Sequence, residues 1–242
     1  MISTVIKPNI KILKNRKKIN NVKKMNLKKT NFERMPSNKY MEVTLSADEI
    51  KQLLGGRISG KNILKRQRFN YPIYLYGFMN KAAEMCGSTR PNKIGKLHIL
   101  YRQRKYRSLN EWIKCYNKLY PKAVKNTINS IYAVFEEVGF DKKNKRKDKR
   151  HIKNFVENLI FNQTYTGLKI QEVILIKIAQ LTKENYRWSN AKEDSSGVDG
   201  HIGRIPVSIK PKSCKGKKKA GTKRIYYIVD EEKYTLSFTF SL

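Results

Sequence analysis

Asp199, Ser208 and Lys210 are the residues whose types and spacing carry a chemical proposal. They fall in Ser195-Ser-Gly-Val-Asp-Gly-His-Ile-Gly-Arg-Ile-Pro-Val-Ser-Ile-Lys-Pro-Lys212. Reading Gly203-Arg204 as a two-residue turn sets Ile202 opposite Ile205 and Asp199 opposite Ser208. Side chains alternate along a strand, so Lys210 shares the face of Ser208. One patch then gathers a carboxylate, a hydroxyl and an ammonium. A turn longer or shorter by one residue would scatter them, because a slipped register inverts the faces.

That set suits phosphodiester hydrolysis. A hard divalent cation binds a phosphate oxygen and acidifies a water, and carboxylates with a main-chain carbonyl are fitting ligands. Asp199 supplies one metal oxygen and the carbonyl of Ile209 another. Lys210 orients the attacking water and offsets charge on the phosphorane, with Ser208 beside it. One further acid is expected. No Asp or Glu occurs between Asp199 and Asp230, and Asp230, Glu231 and Glu232 sit at a turn beyond an intervening strand. Glu172 is the leading candidate for catalysis and metal binding, in the otherwise apolar helix Gly167-Leu-Lys-Ile-Gln-Glu-Val-Ile-Leu-Ile176. Glu193 and Asp194 are the fallback. His201 is assigned to packing or a phosphate contact. Singly, an Asp-Gly pair is most often a plain turn and an x-Ile-Lys run a solvated edge; their combination carries the reading.

The elements that must position these groups are mostly helical. Ser46-Ala-Asp-Glu49 is a capping box, followed by Ile50, Leu53 and Leu54 on one face and stopped by Gly55-Gly56. A helix follows Pro72 and runs through Met85, with Gly87 as its C-cap. Lys93 to Leu100 reads as another. Ser108 to Glu111 is a second capping box, whose helix ends before Pro121. Pro121 suits a first helical position, and Val124, Ile128, Ile131, Tyr132, Phe135 and Val138 repeat at helical spacing until Gly139. Asp141 to Arg150 reads as a charged loop, with helices over 151–160 and 167–185. Beyond residue 188 the pattern becomes strand-like at 198–202, 205–210, 224–229 and 234–240. The fold class is therefore α+β, a largely helical N-terminal region followed by a small mixed sheet. The division expected is a basic arm at 1–40, a helical recognition region at 41–150 and a catalytic core at 151–242.

Composition narrows the partners. Among 242 residues, 53 Lys and Arg stand against 19 Asp and Glu, a formal charge of +34. An AT-rich genome would inflate lysine, but it would also supply glutamate, and acids are scarce. The natural partner is nucleic acid, with an anionic membrane surface far behind. The 39% hydrophobic content suffices for a core and argues against wholesale disorder. No apolar run of roughly 18 residues is present, which excludes a spanning helix. Cys86, Cys115 and Cys214 lack the spacing of a disulfide framework or zinc site, so a reducing, cytoplasmic setting is expected. No membrane partner and no small-molecule cofactor is expected. Residues 1–40 read as a mobile basic arm, or as a start assigned too early, given Met25, Met35 and Met41.

The hairpin and its acids resemble the PD-(D/E)XK nuclease superfamily. Val198-Asp199 stands where that family has Pro-Asp, and Ser208-Ile209-Lys210 where it has acid-x-Lys. The proline is replaced by Val198 and the acid by Ser208; some restriction enzymes of the superfamily share the serine and take the acid from a helix, which favours Glu172. Asn80 to Pro91 and Gly197 to Ser213 are similar to the MjaI-like type II restriction endonucleases. The resemblance implies a restriction-endonuclease-like core and Mg²⁺-dependent cleavage of double-stranded DNA at a short palindrome by a homodimer.

Candidate DNA contacts come from two places. Lys212, Lys215, Lys217, Lys218, Lys219, Lys223 and Arg224 form a cationic loop after the active strand, suited to the backbone. Arg90 and Asn92, at a turn before a helix, are suited to guanine and adenine edges, unless Arg90 pairs with Glu84. The alternatives are a non-enzymatic nucleic-acid-binding protein and a structure-specific repair nuclease.

Overall fold

The computed structural model describes residues 40–65, 73–104, 106–138, 145–214 and 221–241. All of them fall within one unit. Residues 1–39 of the candidate arm at 1–40 and four lysines of the cationic loop, Lys215, Lys217, Lys218 and Lys219, lie outside the described residues.

The sheet has six strands: β1 (Met41–Ser46), β2 (Tyr186–Trp188), β3 (Gly200–Ile202), β4 (Ile205–Pro211), β5 (Lys223–Asp230) and β6 (Thr235–Phe240). Their order is β1-β6-β5-β4-β3-β2, antiparallel throughout except for the parallel pair β4–β5. The mixed sheet expected from the sequence is therefore present, with two additions. β1 adds a strand, absent from the sequence reading, to the largely helical N-terminal region. Met-Glu-Val-Thr-Leu-Ser alternates inward and outward with period two, and its partner is β6, at the opposite end of the chain. The Thr44 and Ser237 hydroxyls meet across that pair at 2.9 Å. β2 forms the other edge.

Ten helices are described: α1 (Ala47–Leu53), α2 (Gly60–Leu64), α3 (Ile73–Met85), α4 (Pro91–Ile94), α5 (Leu97–Arg102), α6 (Leu109–Leu119), α7 (Ala123–Glu137), α8 (Lys145–Glu157), α9 (Thr164–Thr182) and α10 (Ala191–Ser195). The Ser46–Glu49 capping box opens α1 as expected. At α6 only half of the second box forms: Ser108 accepts from the Glu111 N–H, but the Glu111 carboxylate accepts from Arg107. The single helix expected over 93–100 is two, because Gly95 adopts φ +79° between α4 and α5. Pro121 lies in the turn before α7 rather than inside it.

The expected loop over 141–150 is helical from Lys145 onward. Ile152, Phe155 and Val156 of α8 are buried, and this one-sided burial draws the charged turns before them into the same helix. Lys149 lies over the Tyr132 ring, 4.6 Å from its centroid. A π-helical turn, Asn158–Gln163, then joins α8 to α9. The Trp112 indole N–H donates to the Ile160 carbonyl of that turn at 3.1 Å, so the widened backbone acquires a buried partner.

Two hydrophobic cores result. One lies within the helices and centres on Met79, Trp112, Tyr116, Ile131 and Phe155. The other lies between the sheet, α1, α2 and α9. α9 belongs to both: Tyr165 and Leu168 enter the first, and Ile170, Val173, Ile174 and Ile178 the second. Its nearly continuous apolar sequence follows from being covered on more than one side.

Candidate active site

The hairpin register is the one read from the turn. Ile202 faces Ile205, His201 faces Pro206, and Gly200 faces Val207. One step on, the Asp199 N–H donates to the Val207 carbonyl at 2.9 Å. Asp199, Ser208 and Lys210 therefore share a face.

The Asp199 carboxylate receives four donors. Its Oδ2 accepts the Ile209 main-chain N–H at 2.7 Å and the Ser208 hydroxyl at 3.4 Å. The Lys210 ammonium approaches Oδ2 to 3.1 Å and Oδ1 to 3.4 Å. The Gln171 amide of α9 donates to Oδ1 at 3.2 Å. Asp199 is 7% exposed, so this shell replaces the water that a carboxylate requires. Gly200 follows because space requires it: a Cβ there would lie 2.9 Å from the Arg187 carbonyl oxygen and 2.9 Å from a Leu175 methyl. Asp-Gly is here a close approach of strand and helix rather than a turn.

Glu172 is not joined to this cluster. Its carboxylate accepts from Lys169 at 2.8 Å, and the two side chains are 16% and 5% exposed. A buried ammonium needs that partner. The helix-borne group that reaches Asp199 is Gln171, one residue earlier, whose Oε1 is buried and has no hydrogen-bond partner. The fallback acids are also engaged. Glu193 is held by Arg187 at 2.7 Å and caps α10 through the Asn190 N–H; both contacts, Arg187 foremost, bring its carboxyl down to about 2. Asp194 is shared by Arg102 at 3.0 Å and His98 at 2.7 Å. Asp230 accepts from the main chain of Glu232 and Lys233 in the β5–β6 turn, as its turn assignment requires. His201 is buried and approaches Glu193 at 3.5 Å, apart from the carboxylate cluster.

Burial as well as charge shapes the titratable groups around Asp199. Burial, followed by the Asp199 charge, pushes the Tyr227 phenol up, so it stays protonated. Burial lowers the Arg102 guanidinium despite Asp194 and Asp199, and lowers His98. Among the described residues no three His, Cys, Asp or Glu side chains gather to hold a metal. The oxygen donors at hand are the Asp199 carboxylate, the carbonyl of Ile209 on the strand edge whose N–H the carboxylate occupies, and the unpaired Gln171 Oε1. Mg²⁺ takes few protein ligands and keeps several waters, so this sparse, hard donor set fits it.

Of the expected DNA contacts, Arg90 and Asn92 are exposed at the start of α4. Glu84 pairs with Lys81 at 2.9 Å instead of Arg90. Lys212 and Lys223 are exposed at the ends of the β4–β5 connection, and Arg224 donates to the Tyr226 hydroxyl at 3.2 Å.

Residues 77–241 match the family described as MjaI restriction endonuclease, more than half of the chain. The chain belongs to that family. Among curated relatives, the type II restriction enzyme MthZI of Methanothermobacter thermautotrophicus is 30% identical over 175 residues, covering 72% of this chain and 80% of the relative. The type II restriction enzyme MjaI of Methanocaldococcus jannaschii is 31% identical over 149 residues, covering 59% of this chain and 66% of the relative. No solved structure matches. As a member of the MjaI restriction endonuclease family the chain is a site-specific nuclease, which sets aside the non-enzymatic alternative. The matched span contains Asp199, Lys210, Gln171 and Glu172, and begins within α3, after β1, α1 and α2. Among the described residues no helix is long and apolar enough to cross a membrane, and Cys86, Cys115 and Cys214 are free thiols.

The residues that sequence reasoning missed, Gln171 and Arg102, carried no local signal. A glutamine beside a glutamate on an apolar helix gives no indication of which one faces the strand. Only the helix phase against β3 decides it.

Proposed function

We propose that the chain is a type II restriction endonuclease of PD-(D/E)XK type, hydrolysing both strands of DNA at a short palindrome with Mg²⁺, as a cytoplasmic homodimer. The observation that carries this is the convergence of the Ile209 N–H, Lys210, Ser208 and Gln171 on one buried carboxylate, Asp199. Asp199, the Ile209 carbonyl and the Gln171 amide oxygen are the groups that would hold the cation. The chemistry a cation held there would supply is polarisation of a phosphate oxygen and acidification of the attacking water. Lys210 supplies positive charge where the phosphorane becomes more anionic and orients the attacking water. Ser208 occupies the position of the family acid and restrains Asp199 through its hydroxyl. Amide orientation is set by the hydrogen-bond network, and a rotation of Gln171 by half a turn presents its oxygen in place of its N–H. Two-fold symmetry of a homodimer would match a palindromic site. Arg90 and Asn92 are assigned to base edges, and Lys212, Lys223, Arg224 and the loop lysines 215, 217, 218 and 219 to the backbone, by their chemistry.

Plasmid DNA incubated with purified protein and Mg²⁺ is expected to give discrete bands, and EDTA to stop cleavage while gel-shift binding persists. A ladder without discrete bands, or cleavage unaffected by EDTA, would overturn the reading. The helix-borne donor is tested separately. Gln171→Ala is expected to slow cleavage without a matching loss of stability. Glu172→Gln is expected to act through the fold, leaving Lys169 buried against a neutral amide at a cost on the order of 3 kcal/mol in urea unfolding. A fully stable Glu172→Gln protein that binds DNA and does not cut would return the role to Glu172.

A further inference from the structure

Arg102 ends α5, in the helical layer, and its side chain is 8% exposed. Its Nη1 donates to the Ser189 hydroxyl at 2.7 Å and to Asp194 Oδ1 at 3.0 Å. The guanidinium also lies over the Trp188 ring, 4.5 Å from the centroid. Ser189 directs both of its donors to one atom: its N–H at 3.3 Å and its hydroxyl at 3.2 Å meet the main-chain carbonyl of Asp199. The direction of this chain is fixed chemically, since a guanidinium only donates and a carbonyl only accepts. The Ser189 hydroxyl is therefore the link between them, polarised by the charged donor on one side and strengthened as a donor on the other.

A pair with Asp194 would suffice to neutralise a buried arginine. The bond to Ser189 reaches further, to the residue that bears the candidate catalytic carboxylate. The Asp199 N–H is held by Val207 and its carbonyl by Ser189. With both main-chain groups restrained, the direction of its side chain is set, and the carboxylate meets the Ile209 N–H at 2.7 Å. We propose that Arg102 is a positioning residue for Asp199, acting through Ser189 to tie α5 to the catalytic strand. Lys96 and Arg104 are exposed at the two ends of α5, so DNA backbone contacts there bear on the same helix. The proposal rests on the reading of Asp199 as the acid of the nuclease.

The test uses the full chain in four variants: Ser189→Ala, Ser189→Thr, Arg102→Lys and Asp199→Ala. Four quantities are measured: the single-turnover rate on plasmid with Mg²⁺, DNA affinity in Ca²⁺, the melting temperature, and hydrogen exchange at the Ile209 amide. Ser189→Ala and Arg102→Lys are expected to slow cleavage by roughly 10–100-fold with affinity within about twofold, the range typical of outer residues that orient a ligand. Ile209 exchange is expected to rise relative to the other β4 amides, and Ser189→Thr, which keeps the hydroxyl, to cleave much faster than Ser189→Ala. Wild-type cleavage by Ser189→Ala, or Ile209 exchange rising only in step with the whole sheet, would overturn the proposal. Normal cleavage by Asp199→Ala would instead overturn the active-site reading beneath it, whatever Ser189 does.

Discussion

Replacing Asp199 with alanine is expected to lower the cleavage rate by at least about a thousandfold, roughly 4 kcal/mol of transition-state stabilisation. The size follows from the donor inventory. Among the described residues Asp199 is the sole carboxylate joined to the hairpin cluster, and Glu172, Glu193, Asp194 and Asp230 each have other partners. Among the described residues no neighbouring acid is free to replace Asp199 in holding the proposed cation. DNA affinity is expected to hold or rise, since removing one anion from a chain of formal charge +34 reduces repulsion of phosphates. Gel-shift titration in Ca²⁺ beside single-turnover cleavage in Mg²⁺ separates the two effects. A parallel loss of binding and cleavage would mean that Asp199 is structural, its four donors serving to close the hairpin. Asp199→Asn sharpens the comparison: the amide keeps the shape, and its weak ligation should leave the rate near that of the alanine variant.

Lys210→Met is expected to cost about 100–1000-fold in rate, the range seen when one preorganised donor is removed from a developing anion. Methionine retains the aliphatic stem, so the packing of β4 beside Tyr226, its partner on β5, is preserved. Asp199 keeps the Ile209 N–H, Ser208 and Gln171, so the carboxylate stays in place without its ammonium. The expected signature is a lower rate with a nearly unchanged Mg²⁺ requirement, because an ammonium has no lone pair to offer a cation and would act as a charge rather than a ligand. A sharply raised Mg²⁺ requirement would instead show that Lys210 organises Asp199. Lys210→Arg should recover only part of the rate, since a planar fork does not reproduce a compact ammonium.

The matched span runs from α3 to β6 and leaves out β1, although β1 completes the sheet edge against β6. The β3–β4 hairpin that bears Asp199 and Lys210 sits at the other side of the sheet, beside β2. Changes in the β1 region are therefore read as changes in sheet stability rather than in chemistry.

The hairpin was legible in the sequence because everything that sets it is local. Gly203-Arg204 makes the turn, Ile202 and Ile205 flank it, and period-two alternation then carries Asp199 and Lys210 to one face. The N-terminal caps of α1 and α6 were legible for the same reason, since the Ser46 and Ser108 side chains bond to main chain three residues away. What depends on distant contacts was not. β1 is six residues whose partner lies at the opposite end of the chain, and α8 begins in a charge run that only its buried second half pulls into a helix. Gln171 rather than Glu172 meets Asp199 because of the phase at which α9 crosses β3, and Arg102 reaches the same residue from another layer through Ser189. Local hydrogen-bonding chemistry thus determined the acid and the lysine, whereas packing between layers decided which helix side chain stands beside them, because a helix turns about 100° per residue and only its buried face sets the origin of that rotation.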